Sequence, residues 1–326
     1  MTSYRVLVVT NLWPTEADPS FGTFVKAQME SLRPLGVEFD VLFVNGRESR
    51  WNYLRGIWRV RKQLRGNRYD LIHAHFGLSG WVALWQFRVP MVVSFMGDDV
   101  LGHPTRSGRI TLGGHLLRSS GCILARLVTS VIVKSRQMAS KLRRPSAHVI
   151  PNGVDLNLFR PMEQAQAREV LHLDPGNKYV LFPYNPKEAR KRFDLIQAAV
   201  SLAREHVPNL ELLVVHGLPQ EQLPLYMNAA DLLVMASMLE GSPNAVKEAM
   251  ATNLPVITVD VGDAADLIGS TAGCHLVRRE KAAIAEKVVE VCGHGGRTNG
   301  RERIQKLSLK AVAEQIVEVY AKALRR

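Results

Sequence analysis

The sequence predicts an α/β protein built from two doubly wound parallel-sheet domains, and three observations carry that prediction. Short β-rich runs alternate with segments long enough for crossover helices, the pattern of parallel sheets covered on both faces. The chain has 326 residues, long for one core and ordinary for two domains. A turn cluster and a change in charge balance also coincide near its middle.

In chain order, the first series of strand candidates covers residues 5–10, 39–44, 71–74, 91–95, 130–133 and 147–150. The second covers 179–183, 211–216, 231–236, 255–259 and 274–277. Gly or Pro marks many joints between strand and helix segments. The seam falls in HVIPNGVDLNLFRP, residues 148–161, where an apolar strand runs into the turn cluster Pro151-Asn152-Gly153. The expected division is an N-terminal domain over 1–150, a second domain over 151–307, and a closing helix over 308–326 with apolar residues at helical spacing.

With 46% apolar and 22% charged residues the composition is globular and not disordered. Cys122, Cys274 and Cys292 fall in no zinc-like or CxxC spacing, which suits a reducing cytoplasm. The N-terminus enters a strand directly, without the features of a signal peptide. The most apolar windows, near 77–97 and 121–133, are broken by Arg88, Pro90 and Arg126, short of the ~20 residues a membrane span needs. These features give the expectation of a cytoplasmic protein, soluble or peripheral on a membrane.

Residues 1–150 carry 21 Lys and Arg against nine Asp and Glu, whereas the rest of the chain is balanced. An anionic partner is therefore expected for the first half alone: nucleic acid, anionic lipid or a phosphorylated acceptor. The sharpest basic feature is RESRWNYLRGIWRVRKQLRGNR, residues 47–68, where eight basic residues from Arg47 to Arg68 face one Glu. Trp51, Tyr53 and Trp58 are interleaved, a composition suited to an anionic membrane surface. The alternative is a solvated helix that packs Ile57, Val60 and Leu64 inward. No nucleic-acid-binding module accompanies the charge.

The stretch EGSPNAVKE, residues 240–248, lies between a strand and a helix in the second half. Open parallel sheets bind ligands beyond the carboxyl ends of their strands. Ser242 is expected as N-cap and Pro243 as first helical residue, so that free N–H groups and the helix dipole favour an anion. Glu240 then sits in the loop and Glu248 on the helix, where a carboxylate can accept both hydrogens of a cis-diol. On spacing alone, a surface loop acid and a helix-face acid near Lys247 read equally well.

Glu240 and Glu248, with seven residues between them, resemble the E-x7-E signature of retaining glycosyltransferases of family 4, which have the GT-B fold. Their continuation EAMATNLPVITVD is similar to that family's, as are VIPNGVDLNLFRP, DLIHAHFGLSG and ARKRFDLIQAA, in the family's order and over nearly the whole chain. FGTFVKAQ, SFMGDDV, RKRFDL and EGSPNAVKEA most resemble the teichuronic-acid type of cell-envelope glycosyltransferase.

The resemblance implies two Rossmann-like domains facing a cleft, with the C-terminal helix closing the fold. It implies transfer, with retention and without a metal or cofactor, from a UDP- or GDP-linked sugar to a saccharide or lipid-linked acceptor. By position, Glu248 holds the donor ribose, Glu240 orients the transferred sugar, and Lys191 neutralises the diphosphate as charge grows on the leaving group. Backbone amides of Ser242, Asn244 and Ala245 contact sugar hydroxyls or phosphate, and Gly22 occupies the N-terminal glycine loop.

Several positions depart from the family pattern. Asn185 replaces an arginine, with Lys187 or Arg190 as substitutes; Arg192 replaces a glycine; Met96 replaces a histidine; and Ser242-Pro243 replace Phe-Gly. His73 and His75 are expected to face opposite ways from their strand, with His75 toward the cleft as a catalytic candidate, and two histidines imply no metal site. Asp98-Asp99 is not a D-x-D motif and fits either a cleft role or a solvated turn. The glycine-rich 293–300 stretch reads as a surface connection. An epimerase or phosphorylase on the same scaffold, or a non-catalytic anion binder, are the other readings.

Overall fold

A computed structural model describes residues 3–105 and 108–325, and its strands form two sheets, both parallel throughout. The first contains β1 (Tyr4–Thr10), β2 (Val37–Phe43), β3 (Leu71–His75), β4 (Met91–Ser94), β5 (Ser130–Val133) and β6 (His148–Val149), in the order β2-β1-β3-β4-β5-β6. The second contains β7 (Lys178–Phe182), β8 (Leu210–Val214), β9 (Leu232–Met235), β10 (Val256–Val259) and β11 (Cys274–Val277), in the order β11-β10-β9-β7-β8. Each strand falls where the sequence places it, within two residues at either end.

The first compact unit comprises residues up to His103, 110–153, and Leu309 onward. Its inner strands are buried on both faces because helices cover both. Helices Trp51–Gly66, Gly77–Leu84 and Leu112–Leu127 pack side by side on one face. Helices Thr23–Glu30 and Leu309–Leu324 cover the other. The last helix buries Val312, Ile316, Val319 and Tyr320 in one core with Val6, Val8, Leu71 and Val92. The chain's final element thus belongs to the first unit, because its apolar stripe completes that unit's core.

The second unit comprises 154–308 with the described residues of the short piece 104–109. Where the chain enters and leaves it, Val154 N–H donates to Leu307 O at 2.9 Å. In each sheet the strand order reverses beside the first strand, β1 or β7, and that reversal opens a crevice at the carboxyl edge.

Candidate functional site

In the second unit the crevice lies between β7 and β9, and the loops leaving these strands carry the residues the sequence singles out. After β7 the chain turns through the short 3-10 helix Ala189–Lys191, which ends at Arg192 in the left-handed conformation (φ 56°). That conformation is the one glycine adopts most readily. Lys191 Nζ lies 2.6 Å from Glu240 Oε1, and their side chains keep only 7% and 12% of their surface exposed. The ring of Tyr184 lies 3.8 Å from the same Nζ. Arg190 Nη1 approaches Glu240 Oε1 to 3.6 Å, and its backbone carbonyl accepts from Met238 N–H.

Burial opposes ionisation of both partners. For Glu240, Lys191 and Arg190 outweigh it and hold the carboxyl below its ordinary range. Burial pulls Lys191 down, against the attraction of Glu240. The result is a desolvated ion pair with a second cation beside it.

Of the two substitutes for the missing arginine, Arg190 reaches Glu240, while Lys187 is exposed. Asn185 does not act as a clamp: its Oδ1 accepts from Lys187 N–H and shapes the 185–188 turn.

Helix Asn244–Ala251 starts one residue later than expected. Pro243 is its N-cap and no side chain caps it, so Ser242 does not. The Ser242 hydroxyl is engaged elsewhere: it accepts from Lys247 Nζ at 3.1 Å and donates to Asp263 Oδ2 at 2.9 Å. Lys247 is fully buried, and burial lowers its pKa to about 8. Burial raises Asp263 to about 6, and its Oδ1 has no hydrogen-bond partner. Gly262 (φ 64°) brings this loop against the Glu240-Gly241 backbone, where a Cβ would lie 2.9 Å from both carbonyl oxygens.

Ala245 is buried and Asn244 half-buried at the first turn of the helix. Glu248 follows on that helix, 3.5 Å from the Gln220 amide, with burial raising its carboxyl to about 7. Lys247, Asp263, Tyr184 and Gln220 escape a sequence reading. The usable signals were a lone lysine inside the apolar AVKEAMA helix and a tyrosine two residues past β7.

In the first unit the corresponding edge carries Gly22 and His75. Gly22 (φ 71°) caps helix Thr23–Glu30, and a Cβ there would lie 2.4 Å from the Leu12 carbonyl carbon. The protein's own backbone therefore requires this glycine.

His73 and His75 lie on the same face of β3, with ring centroids 4.1 Å apart. The expectation of opposite faces is corrected here, because residues two apart on a strand point the same way. His73 Nδ1 lies 2.7 Å from the Tyr320 hydroxyl and Nε2 2.8 Å from Ser94 Oγ. Burial lowers its pKa to about 3. His75 is fully buried, 3.3 Å from the Gln28 amide, with Nδ1 unpartnered. Burial, His73 and Lys134 hold His75 far below its ordinary value.

Asp99 is fully buried and accepts from the backbone N–H groups of Gly77, Met96 and Gly97, tying two strand-exit turns together. It is neither a solvated turn residue nor a ligand-facing one. Among the described residues no cluster of three His, Cys, Asp or Glu could hold a metal ion.

Comparison with known proteins gives this arrangement a context. The family model described as Glycosyltransferase Family 4 matches residues 3–158, and that described as Glycosyl transferases group 1 matches 185–294. The chain is 26% identical to the putative teichuronic acid biosynthesis glycosyltransferase TuaC of Bacillus subtilis (strain 168), over 86% of this chain and 87% of that one. Sucrose-phosphate synthase from Thermosynechococcus elongatus superposes with a TM-score of 0.80 at 20% identity, covering 99% of this chain and 100% of that one. HepE of Anabaena, solved with UDP-glucose, superposes with a TM-score of 0.70 at 17% identity, covering 98% and 99%. These two structures show the shared fold. The chain is a GT-B glycosyltransferase, its first half belonging to Glycosyltransferase Family 4 and its second to Glycosyl transferases group 1.

Proposed function

We propose that the protein transfers a sugar, with retention of configuration, from a UDP- or GDP-linked donor to a saccharide or lipid-linked acceptor during cell-envelope polysaccharide synthesis. The observation that carries this reading is the buried Lys191–Glu240 pair at the crevice between β7 and β9, with Arg190 as a second cation. The likeness to TuaC supports the cell-envelope setting, and the UDP-glucose held by HepE supports the donor class.

As the bond from the sugar's anomeric carbon to the phosphate oxygen breaks, its electron pair leaves with the diphosphate. Lys191 and Arg190 meet that growing charge from a desolvated position and make a metal unnecessary. The acceptor hydroxyl forms the new bond on the same face and gives its proton to the departing phosphate oxygen, so no enzyme nucleophile is required. Glu240 orients the transferred sugar, Glu248 accepts the ribose hydroxyls, and amides at Ser242, Asn244 and Ala245 take sugar hydroxyls or phosphate. His75 acts through its place beneath the acceptor edge, and Gly22 through the loop it closes.

The excess of basic residues in the 47–68 segment supports a setting at the inner face of the plasma membrane. Among the described residues, no helix is long and apolar enough to cross a membrane.

A panel of nucleotide sugars tests the reading by thermal shift, since a bound donor raises the melting temperature. Failure of every UDP- and GDP-sugar to shift it would exclude the assignment.

A further inference from the structure

The described residues include fifteen exposed large hydrophobic side chains, and nine of them lie on one helical layer of the first unit. Helix Trp51–Gly66 exposes Trp51, Leu54 and Trp58, the last at 70%. Trp85 and Phe87 follow helix Gly77–Leu84, packed edge to face at 6.5 Å. Helix Leu112–Leu127 exposes Leu112, Leu116, Ile123 and Leu127. These four positions recur at helical spacing on one exposed face, as a pair at each end of the helix with Ser119 between them.

The pieces are joined. The Arg61 guanidinium donates to the Trp85 carbonyl at 2.9 Å and lies 5.7 Å from the Trp58 ring. Phe87 and Leu127 line the same surface cavity.

The charge on this layer is of one sign. Residues 51–66, 77–89 and 112–127 contain no Asp or Glu. Arg55, Arg59, Lys62, Arg65, Arg88 and Arg126 are exposed among the apolar groups. A second copy of the same face would meet it with like charge. A nucleic acid would leave the apolar groups uncovered. An anionic bilayer surface takes both components, with headgroups on the guanidinium groups and acyl chains against the apolar ones.

We infer that helix Leu112–Leu127 is a membrane-insertion element, and that it acts with the basic helix Trp51–Gly66 as one platform on anionic lipid. This rests on, and extends, the membrane setting proposed for residues 47–68. Both helices begin at the carboxyl edge of their sheet, the edge that carries Gly22 and His75. A lipid-linked acceptor whose chain lies on the platform therefore has its polar end at that edge.

The test is sedimentation of the full chain with phosphatidylcholine vesicles, with or without phosphatidylglycerol. Wild type should bind only the anionic vesicles, with its tryptophan emission shifted to the blue. Leu112→Ser/Leu116→Ser/Ile123→Ser leaves net charge unchanged and should weaken binding at least about tenfold. Arg55→Ser/Arg59→Ser/Lys62→Ser should remove the salt-sensitive part.

Undiminished vesicle binding by the leucine variant, or no wild-type binding at all, would overturn the inference. So would a lipid-free wild-type dimer that the leucine variant abolishes. A UDP thermal shift on the same proteins keeps the two questions apart. Vesicle binding without any nucleotide shift would sink the donor assignment alone, and a retained shift in the variants shows that they fold.

Discussion

Lys191 Nζ and Glu240 Oε1 are 2.6 Å apart, and Arg190 Nη1 lies 3.6 Å from the same oxygen. Arg190 is also paired with Glu188, Nη2 to Oε2 at 3.2 Å, so both cations rest on carboxylates at the carboxyl edge until a diphosphate competes for them. Lys191→Ala should lower the transfer rate by about 10²–10³-fold with a smaller effect on acceptor KM, as for loss of one donor aimed at developing charge. The pair also holds structure. Lys191→Met alone should cost about 3 kcal/mol by stranding a buried carboxylate, with Arg190 limiting the loss, whereas Lys191→Met/Glu240→Leu should recover most of it. Urea denaturation of the three proteins measures both values, and equal stability of the single and double variants would show that the pair is uncoupled.

Glu248 gives the donor site a pH dependence of definite sign. Its carboxyl is raised by burial to about 7, above the model-peptide value of 4.5. Between those values the folded protein binds a proton that the unfolded chain has released, so Glu248 makes stability fall as pH rises from 4.5 to 7. The neutral buried His73 and His75 act oppositely, lowering stability as pH falls below 6.5. The difference between wild type and Glu248→Gln isolates the glutamate. A ribose diol donates to the carboxylate form, so UDP affinity should climb between pH 6 and 8 in wild type and stay flat in Glu248→Gln. Calorimetric titration at several pH values would read this directly.

Lys247, Ser242 and Asp263 form a buried relay under the Glu240 loop, in which the Ser242 hydroxyl has a partner on each side. Ser242→Ala removes an acceptor of a buried ammonium and a donor to a buried carboxylate, and should cost about 1–3 kcal/mol. The Lys247 pKa of about 8 lies below the ordinary 10.5. Between these values the unfolded chain holds the extra proton, so stability should rise with pH from 8 to 10.5, and Lys247→Met should abolish that rise. Thermal melts across this alkaline range, comparing wild type with Lys247→Met, would expose an unpaired or solvated lysine as identical slopes.

The strands were legible because fully buried parallel strands leave short apolar runs between turn residues, as in YRVLVVT and SVIV. The pairing of Lys191 with Glu240 was not legible from spacing, since 49 residues separate them. Only the family order of motifs placed both at one edge. Lys247 escaped because lysine is ordinarily a surface residue. The Ser242 cap failed for the same cause: a local propensity lost to a tertiary partner that no window of sequence contains. The histidines were misplaced by a misapplied period, and β3 itself corrects it, since its alternate residues share a face.

Tyr320 provides the last test, because the placement of the C-terminal helix is the least local feature of the fold. Its hydroxyl lies 2.7 Å from His73 Nδ1, across 247 residues of sequence. Neutral His73 must donate from one ring nitrogen and accept at the other, so one of the Tyr320 and Ser94 hydroxyls donates to the ring and the other accepts from it. Tyr320→Phe should therefore cost about 1–3 kcal/mol while leaving the packing intact. Tyr320→Ala adds a cavity in the core shared with Val6 and Val92, and should cost about 3–5 kcal/mol. Deletion of residues 309–326 uncovers the part of that face the last helix shields, leaving only helix Thr23–Glu30 on it, and should unfold the first unit. Limited proteolysis of the truncated chain should then cut within β1 to β6 while sparing β7 to β11. Protection of the first unit after truncation would show that the helix merely rests on a sheet already stable without it.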